Sequence, residues 1–309
     1  PESEIVAYGK LITSRYVRVL RGYAWPEYNY VICDHCKTLT RVLFTESIPD
    51  RCPQCGHDLP RRKLSYIIPK FGFVMDNDGV KDVGTAKPER TYKGAISYIG
   101  DGRRIETHNF SICGKKVVFG TSKMDELAVL NSSDFYICKE CGYGEIFENS
   151  VDLCRVKEHK KPDGYRCASK HLYPYALGHE FQTDVVLLKF ISENIADPDA
   201  AWTILYALLE GLSKHLAIDR TELSGCLHWF RNENIGGIGN YGFVLFDNTP
   251  GGAGYVRQLR NITTFTGMLS EGLRIVSSCN CGGEAADTAC YGCLCNYYNQ
   301  KQHDVLKRM

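Results

Sequence analysis

Nothing in the 309-residue sequence approaches the roughly 20 consecutive apolar residues that span a bilayer, so no membrane association is expected. Neither Gly-Lys-Ser nor Gly-Lys-Thr occurs, and no Asp-Glu-x-Asp/His box is present, which excludes a self-contained ATP-driven motor. Also missing are His-Glu-x-x-His, and His-x-Glu with a later Pro-Cys-x-x-Cys, the patterns of hydrolytic zinc. The formal net charge is only +1, so no global field attracts nucleic acid. There is no repeat and no low-complexity tract. The opening Pro-Glu-Ser-Glu has neither the basic start nor the apolar stretch of a signal peptide, and the lack of an initiating Met suits a fragment or processed product.

What the sequence has in abundance is cysteine, fifteen in all. Disulfide scaffolds of secreted proteins are usually short, and an odd count suits them poorly. Here the cysteines come in close pairs at metal-ligand spacing, which points to a reducing, cytoplasmic compartment and to zinc. A hydrophobic content of 44% is ordinary and allows a sizeable core.

The pattern implies an α+β protein: a mixed sheet with helices in the C-terminal half, preceded by a zinc ribbon and a β-rich segment, with several structural zinc sites. Residues 1–64 read as a zinc ribbon with an N-terminal arm, helical at first and then extended. Residues 65–135 alternate short β-prone runs with Gly, Asp and Asn turns. Residues 136–176 form a second cysteine segment, and 177–309 an α/β domain. Within the last, Asp184–Phe190 reads as a buried strand, Ala200–Leu216 as a helix with leucines on one side, and Tyr241–Phe246 as another strand. Helix is expected again over Gly254–Leu259 and up to Ile275, with a short polar helix around Tyr297–Lys307.

Cys33-x-x-Cys36 and Cys52-x-x-Cys55 lie fifteen residues apart, the spacing of a four-cysteine zinc ribbon. Each pair turns two thiolates toward one point, and Gly56 suits the positive φ that such a turn needs. Cys279-x-Cys281 and Cys290-x-x-Cys293 make a second closed set, with eight small or polar residues between them and Cys295 as a competitor. Between these lies Cys138-x-x-Cys141, for which Cys167 is a good third ligand. His159 and Cys154 contend for the fourth place, and spacing does not choose between them. About three zinc ions per chain follow, leaving Cys113, Cys154, Cys226 and Cys295 as ordinary thiols.

Several segments together resemble a known family: Leu177-Gly178-His179-Glu180-Phe181-Gln182-Thr183-Asp184-Val185, then Asp247-Asn248-Thr249-Pro250-Gly251-Gly252-Ala253-Gly254, then Cys290-Tyr291-Gly292-Cys293-Leu294 with Asn299, Gln300 and His303 behind it. They resemble the MrfA-type zinc-binding domain. It is found at the C-terminus of superfamily-2 DEAD/DEAH helicases and in DrmB, the helicase partner in the DISARM phage-defence system. The likeness covers roughly residues 135–309. It implies that Cys279, Cys281, Cys290 and Cys293 hold zinc, and it favours His159 over Cys154, because relatives carry a CxxC, a His and a Cys upstream of the Gly-His-Glu-Phe segment.

The resemblance further implies a non-catalytic, DNA-handling accessory region of, or partner to, a helicase motor, in DNA repair or antiviral defence. Single-stranded or tailed DNA would be its ligand. Arg61, Arg62 and Lys63, just after the first ribbon, are the leading candidates for phosphate contacts, ahead of Lys160 and Lys161 beside the middle cysteines. Such runs are otherwise ordinary solvated faces. Gly251, Gly252 and Gly254 stand at a strand-to-helix junction where backbone N–H groups can cradle a phosphate, or where glycines merely permit close packing. His179, Glu180 and Asp184 make an acid/base cluster or cap a turn into the next strand. Two rival functions stay open: a metal-dependent nuclease using an incompletely coordinated zinc, and an adaptor that docks to a motor subunit.

Overall fold

The structure is a computed structural model that describes residues 1, 3–82, 94–100, 106–147 and 154–308. Parts of the β-rich stretch, and of the second cysteine segment, therefore lie outside the described residues.

The chain opens with a hairpin of β1 (Glu4–Ala7) and β2 (Lys10–Val17), not with a helix. Ile12, Thr13, Tyr16 and Val17 are β-branched or aromatic, which suits a pleated surface and costs rotamer freedom in a helix. Tyr8 and Gly9, with φ of 51° and 71°, form the two-residue turn whose twist matches such a hairpin. The next three strands are β3 (Glu27–Ile32), β4 (Leu39–Leu43) and β5 (Leu64–Ile67). Then come β6 (Phe73–Asp82), β7 (Gly94–Tyr98) and β8 (Glu106–Ile112). β1, β2 and β6 make a three-stranded sheet of their own.

The large sheet is built on two long antiparallel strands, β9 (Lys115–Ile137) and β12 (His171–Phe190). Between them in sequence lie the short β10 (Gly144–Ile146) and β11 (Arg155–Val156). β7 and β8 line the outer edge of β9. The far edge of β12 takes β5 in parallel near one end, followed by β3 and β4, and β14 near the other. β13 (Leu223–Asn232) and β14 (Ile238–Asp247) form the closing hairpin. β9 runs through the 135/136 boundary and β12 through 176/177, so one sheet draws strands from all four sequence segments.

Two helices cover one face of this sheet. α1 (Pro198–Leu216) presents Leu205, Leu208, Leu209 and Leu212 to Phe119, Val186, Leu188, Phe243 and Leu245, and α2 (Ile262–Ser278) adds Phe265 and Met268. Burying each such side chain stabilises by roughly 1.5–3 kcal/mol. Asp197 caps α1 by accepting from the Asp199 and Ala200 amides, both at 3.2 Å, and Pro198 occupies the first turn, where no N–H is missed. Asp197→Ala is expected to lower stability by about 1 kcal/mol, read as a shift in the denaturant midpoint without a change in slope. The expected helix after Gly254 is a 3-10 turn over Val256–Arg260, and the terminal one a 3-10 stretch over Tyr297–Gln302.

The same core cluster includes Val31, Cys33, Cys36, Cys52 and Leu59. The first ribbon is therefore seated on the C-terminal half. Gln54 Nε2 donates to the Trp229 carbonyl at 2.6 Å, and His35 meets the Trp229 ring edge-on at 5.7 Å. Arg41 on β4 pairs with Glu180 on β12 at 3.2 Å. No helix among the described residues is long and apolar enough to cross a membrane.

Candidate metal centres

One backbone pattern recurs at three knuckles. In the first, between β3 and β4, Cys33 N–H donates to Thr38 C=O at 3.1 Å and Lys37 N–H to Cys33 C=O at 2.9 Å. The second repeats this with Cys52 to His57 (2.8 Å) and Gly56 to Cys52 (2.9 Å). The third, between β9 and β10, does so with Cys138 to Tyr143 (2.8 Å) and Gly142 to Cys138 (2.9 Å). The fifth residue of each turn is left-handed, with φ of 57° at Lys37, 76° at Gly56 and 77° at Gly142. This geometry points both sulfurs of a CxxC pair the same way.

Three groups of four side chains result: Cys33, Cys36, Cys52, Cys55; Cys138, Cys141, His159, Cys167; and Cys279, Cys281, Cys290, Cys293. Within each group all ligand atoms lie within 4.8 Å of one another. In the first, Cys33–Cys55 and Cys36–Cys52 sulfurs stand 3.6 Å apart. Cys138–Cys167 is 3.9 Å, and the contacts in the last group run from 3.4 Å for Cys279–Cys281 to 4.0 Å for Cys290–Cys293. A tetrahedron with zinc–sulfur bonds of about 2.3 Å has its sulfurs roughly 3.8 Å apart, whereas a disulfide needs about 2.05 Å. These spacings are those of a metal cage.

The middle group brings in His159 rather than Cys154. A short ladder from Arg155 to His171 sets His159 opposite Cys167, whose N–H donates to the His159 carbonyl at 3.0 Å. His159 Nδ1 lies 2.9 Å from the Lys157 carbonyl, which can only accept, so Nδ1 carries the proton. Its Nε2 is buried and has no hydrogen-bond partner among the described residues. An orphaned lone pair among three sulfurs is what a zinc ligand looks like without its ion. Cys154 is exposed, with its sulfur 3.4 Å from His171 Nδ1. The contact with Cys141 draws Cys138 down to about 4 and pushes Cys141 up, so a thiolate is already favoured there.

The last group is delivered by α2, whose C-cap residue is Cys279. The backbone N–H of Cys281 holds Cys279 down to about 7. Residues 282–289 fold back through a 3-10 turn at Gly283–Ala285. Arg308 straps the loop, donating to the carbonyls of Cys281 (2.9 Å) and Gly283 (2.7 Å). Behind the knuckle Asn299 donates to Leu294 C=O at 2.8 Å, and His303 Nε2 sits 2.9 Å from Asn299 Oδ1. Cys295 is buried but stands outside the quartet.

The loop of Gly251, Gly252 and Gly254 already holds an anion of the chain's own, which favours the packing reading of its glycines over a phosphate cradle. That anion is Asp247. That fully buried carboxylate accepts from the N–H groups of Ala253 (2.8 Å), Tyr255 (3.1 Å) and Val256 (3.0 Å). The Gly251 and Gly252 amides are committed to the carbonyls of Gln182 and Thr249, each at 2.9 Å. Nor do His179, Glu180 and Asp184 cap a turn, since β12 runs on through them, with a shift of register against β9 at Asp184. Glu180 accepts from Tyr66 Oη at 2.7 Å beside Arg41, while Asp184 faces Arg257 at 3.6 Å, so each carboxylate has a separate structural partner.

Arg61, Arg62 and Lys63 are exposed in the irregular link between the second knuckle and β5. They form no ion pair among the described residues. Lys160 is exposed and Lys161 half-buried near the tip of the His159–Cys167 ladder.

Residues 204–294, from within α1 through the last cysteine quartet, match the family model of the MrfA Zn-binding domain. Among solved structures the chain is similar to one described as the crystal structure of DUF1998 helicase MrfA bound to DNA, at 12% identity and a TM-score of 0.39. The likeness covers 73% of this chain and 26% of that one, so this chain spans about a quarter of that protein's length. No curated protein matches.

Proposed function

We propose that this chain is a zinc-scaffolded, DNA-handling accessory region of, or partner to, a superfamily-2 helicase-type ATPase, serving DNA repair or phage defence from the cytoplasm. The observation that carries the reading is the set of three four-donor cages, one of them inside a matched MrfA Zn-binding domain. With four protein donors apiece, none of the cages keeps the open position through which a metal activates water. That favours scaffolding over a zinc nuclease. The first cage is filled by Cys33, Cys36, Cys52 and Cys55, the middle by Cys138, Cys141, His159 and Cys167, and the last by Cys279, Cys281, Cys290 and Cys293. Because one sheet threads all four segments, the zinc sites brace a single unit rather than separate beads.

A strand must be gripped without stopping its passage, so contacts go to phosphate and by stacking rather than to base edges. Arg61, Arg62 and Lys63 fit that role. They are exposed, form no ion pair among the described residues, and are anchored by the knuckle that precedes them. Lys160 and Lys161 are the second choice.

Fluorescence anisotropy with single-stranded, tailed and duplex oligonucleotides tests this. Weak binding to single-stranded and tailed DNA with little sequence preference is expected. The affinity falls steeply as salt rises from 50 to 200 mM, because phosphate counterions are displaced on binding. Replacing Arg61, Arg62 and Lys63 together by Ala is expected to weaken binding to every sequence and to reduce the salt slope by about 3, near one unit per lost phosphate contact. Zinc content stays at three. No binding at low salt, with capture of a motor subunit instead, establishes the adaptor. Cleavage of the DNA on addition of metal establishes the nuclease.

A further inference from the structure

The middle cage carries a short hairpin of its own. Beyond His159 and Cys167 its two arms close at Lys161 and Tyr165, where the Lys161 N–H donates to the Tyr165 carbonyl at 2.7 Å. The loop between them is Pro162-Asp163-Gly164. Gly164 N–H donates to the Lys161 carbonyl at 2.9 Å, and Gly164 itself has a φ of 85°, the geometry of a tight turn completed by a left-handed residue. Pro162 presets the first corner, and Asp163 Oδ1 accepts from the Tyr165 N–H at 3.1 Å. At its base the Cys167 N–H bond to the His159 carbonyl, at 3.0 Å, ties the hairpin to two ligands of the cage. The tip is therefore held in place from both ends.

Tyr165 stands at this tip 75% exposed. Among the described residues its ring meets no other ring and its hydroxyl makes no hydrogen bond. A lone exposed aromatic needs no explanation, but this one is set among cations. Residues 157–170 hold five basic side chains against two acidic ones, in a chain whose net charge is +1. Lys160 and Arg166 stand directly opposite each other across the hairpin, an unfavourable pairing of like charges. Glu158 answers Arg166 and Lys170, and Asp163 is engaged in the turn. Lys160 and Lys161 are left without an ion-pair partner among the described residues.

A flat ring with unpaired ammonium groups beside it matches a nucleotide, whose base offers a π-face and whose phosphate offers charge. Inside a duplex the base faces are covered by their neighbours. The ring can engage only where a strand is unpaired.

We infer that Tyr165 stacks on an unpaired base, with Lys160 and Lys161 on the adjoining phosphates, so that this zinc-held hairpin makes the chain prefer single-stranded and tailed DNA to duplex. The inference rests on the DNA-handling reading above and adds to it the residue that tells the two forms apart.

The test titrates the full chain, with its three zincs, against a thymine-flanked 2-aminopurine in a single-stranded oligonucleotide and against a duplex of the same sequence. Binding to the single strand is expected to quench the 2-aminopurine fluorescence as the ring stacks on it. Tyr165→Ala should abolish the quenching and weaken single-strand binding about tenfold, the size of one base–aromatic stack. Duplex affinity, zinc content and the salt slope stay as they were, since no charge is removed. Tyr165→Phe, which keeps the ring, retains both quenching and affinity. Quenching that survives Tyr165→Ala, or an equal loss on single strand and duplex, overturns the inference. So does a Tyr165→Ala variant that keeps its DNA affinity and loses capture of a motor subunit, which makes the tip a protein contact. Binding that depends on Arg61, Arg62 and Lys63 but not on Tyr165 removes this inference alone. A wild-type chain that binds no DNA at low salt removes the DNA-handling reading, and the inference with it.

Discussion

His159→Ala is expected to take the chain from three zinc ions to two and to open the segment between β9 and β12, while Cys154→Ser keeps all three. The middle cage loses its only nitrogen donor, and three sulfurs alone leave the ion open to water. Binding of a structural zinc is worth on the order of 10 kcal/mol and is linked to folding, so the loss is not confined to the ion. The Tyr143 ring stacked on His159 at 4.7 Å loses its support, and the ladder bearing Cys167 loses its anchor. Elemental analysis gives the stoichiometry, and limited proteolysis between Gly144 and His171 reports the opening. His159→Cys, which restores a fourth donor, is expected to recover three zincs. An alanine variant that keeps three, or a Cys154→Ser variant that keeps two, overturns the ligand assignment.

Gly142→Ala is expected to destabilise the protein by about 3 kcal/mol or more, whereas Gly56→Ala costs about 1 kcal/mol. Both glycines hold the left-handed place in a knuckle, and Lys37 shows that a side chain is tolerated there at the modest price of strain, roughly 1–2 kcal/mol. The difference lies in what surrounds them. A Cβ on Gly56 meets nothing within 4 Å. A Cβ on Gly142 falls well inside contact distance of the Val17 carbonyl oxygen, a backbone atom that cannot rotate away. Val17 is fully buried, and its N–H donates to the Gly142 carbonyl at 2.8 Å. The methyl therefore adds overpacking of about 1–3 kcal/mol to the strain, and pushes β2 off the middle cage. Denaturant unfolding of the two variants separates the effects. Equal losses at both positions show that conformation alone governs the knuckles.

The contrast between those glycines marks what a sequence shows and what it hides. The CxxC knuckles were legible because a knuckle is local: six consecutive residues make its hydrogen bonds, and Gly56 advertises its own φ. The leucine face of α1 was legible for the same reason. The N-terminal arm, expected to be helical at first, is a hairpin, because Ile12, Thr13 and Val17 suit a strand and pair across to neighbours that a short window does not show. Asp247 was passed over because its partners are amides six to nine residues later, and nothing in Pro-Gly-Gly-Ala-Gly says that the loop wraps an internal carboxylate. His159 against Cys154 needed the lone pair of one ring to be seen among three sulfurs. Hardest of all were Gln54 on Trp229 and Arg41 on Glu180, contacts more than a hundred residues apart in sequence.

Those distant contacts impose an order on folding as the chain leaves the ribosome. The first ribbon emerges before the strands it docks on, and its knuckles close over short spans, so it can load zinc at once. Its seat does not yet exist. β5 must wait for Ala176 and Leu177 to pair with Tyr66 and Ile67, and Gln54 must wait for Trp229, which lies 175 residues downstream. Loops of that length close slowly and only after much of the chain is made. The ribbon, synthesised ahead of its seat, is thus among the last parts of this sheet to be docked. Until then Val31 and Leu59 stand uncovered on a metal-held nub, and it is the metal that keeps this nub in shape for the surface that arrives later.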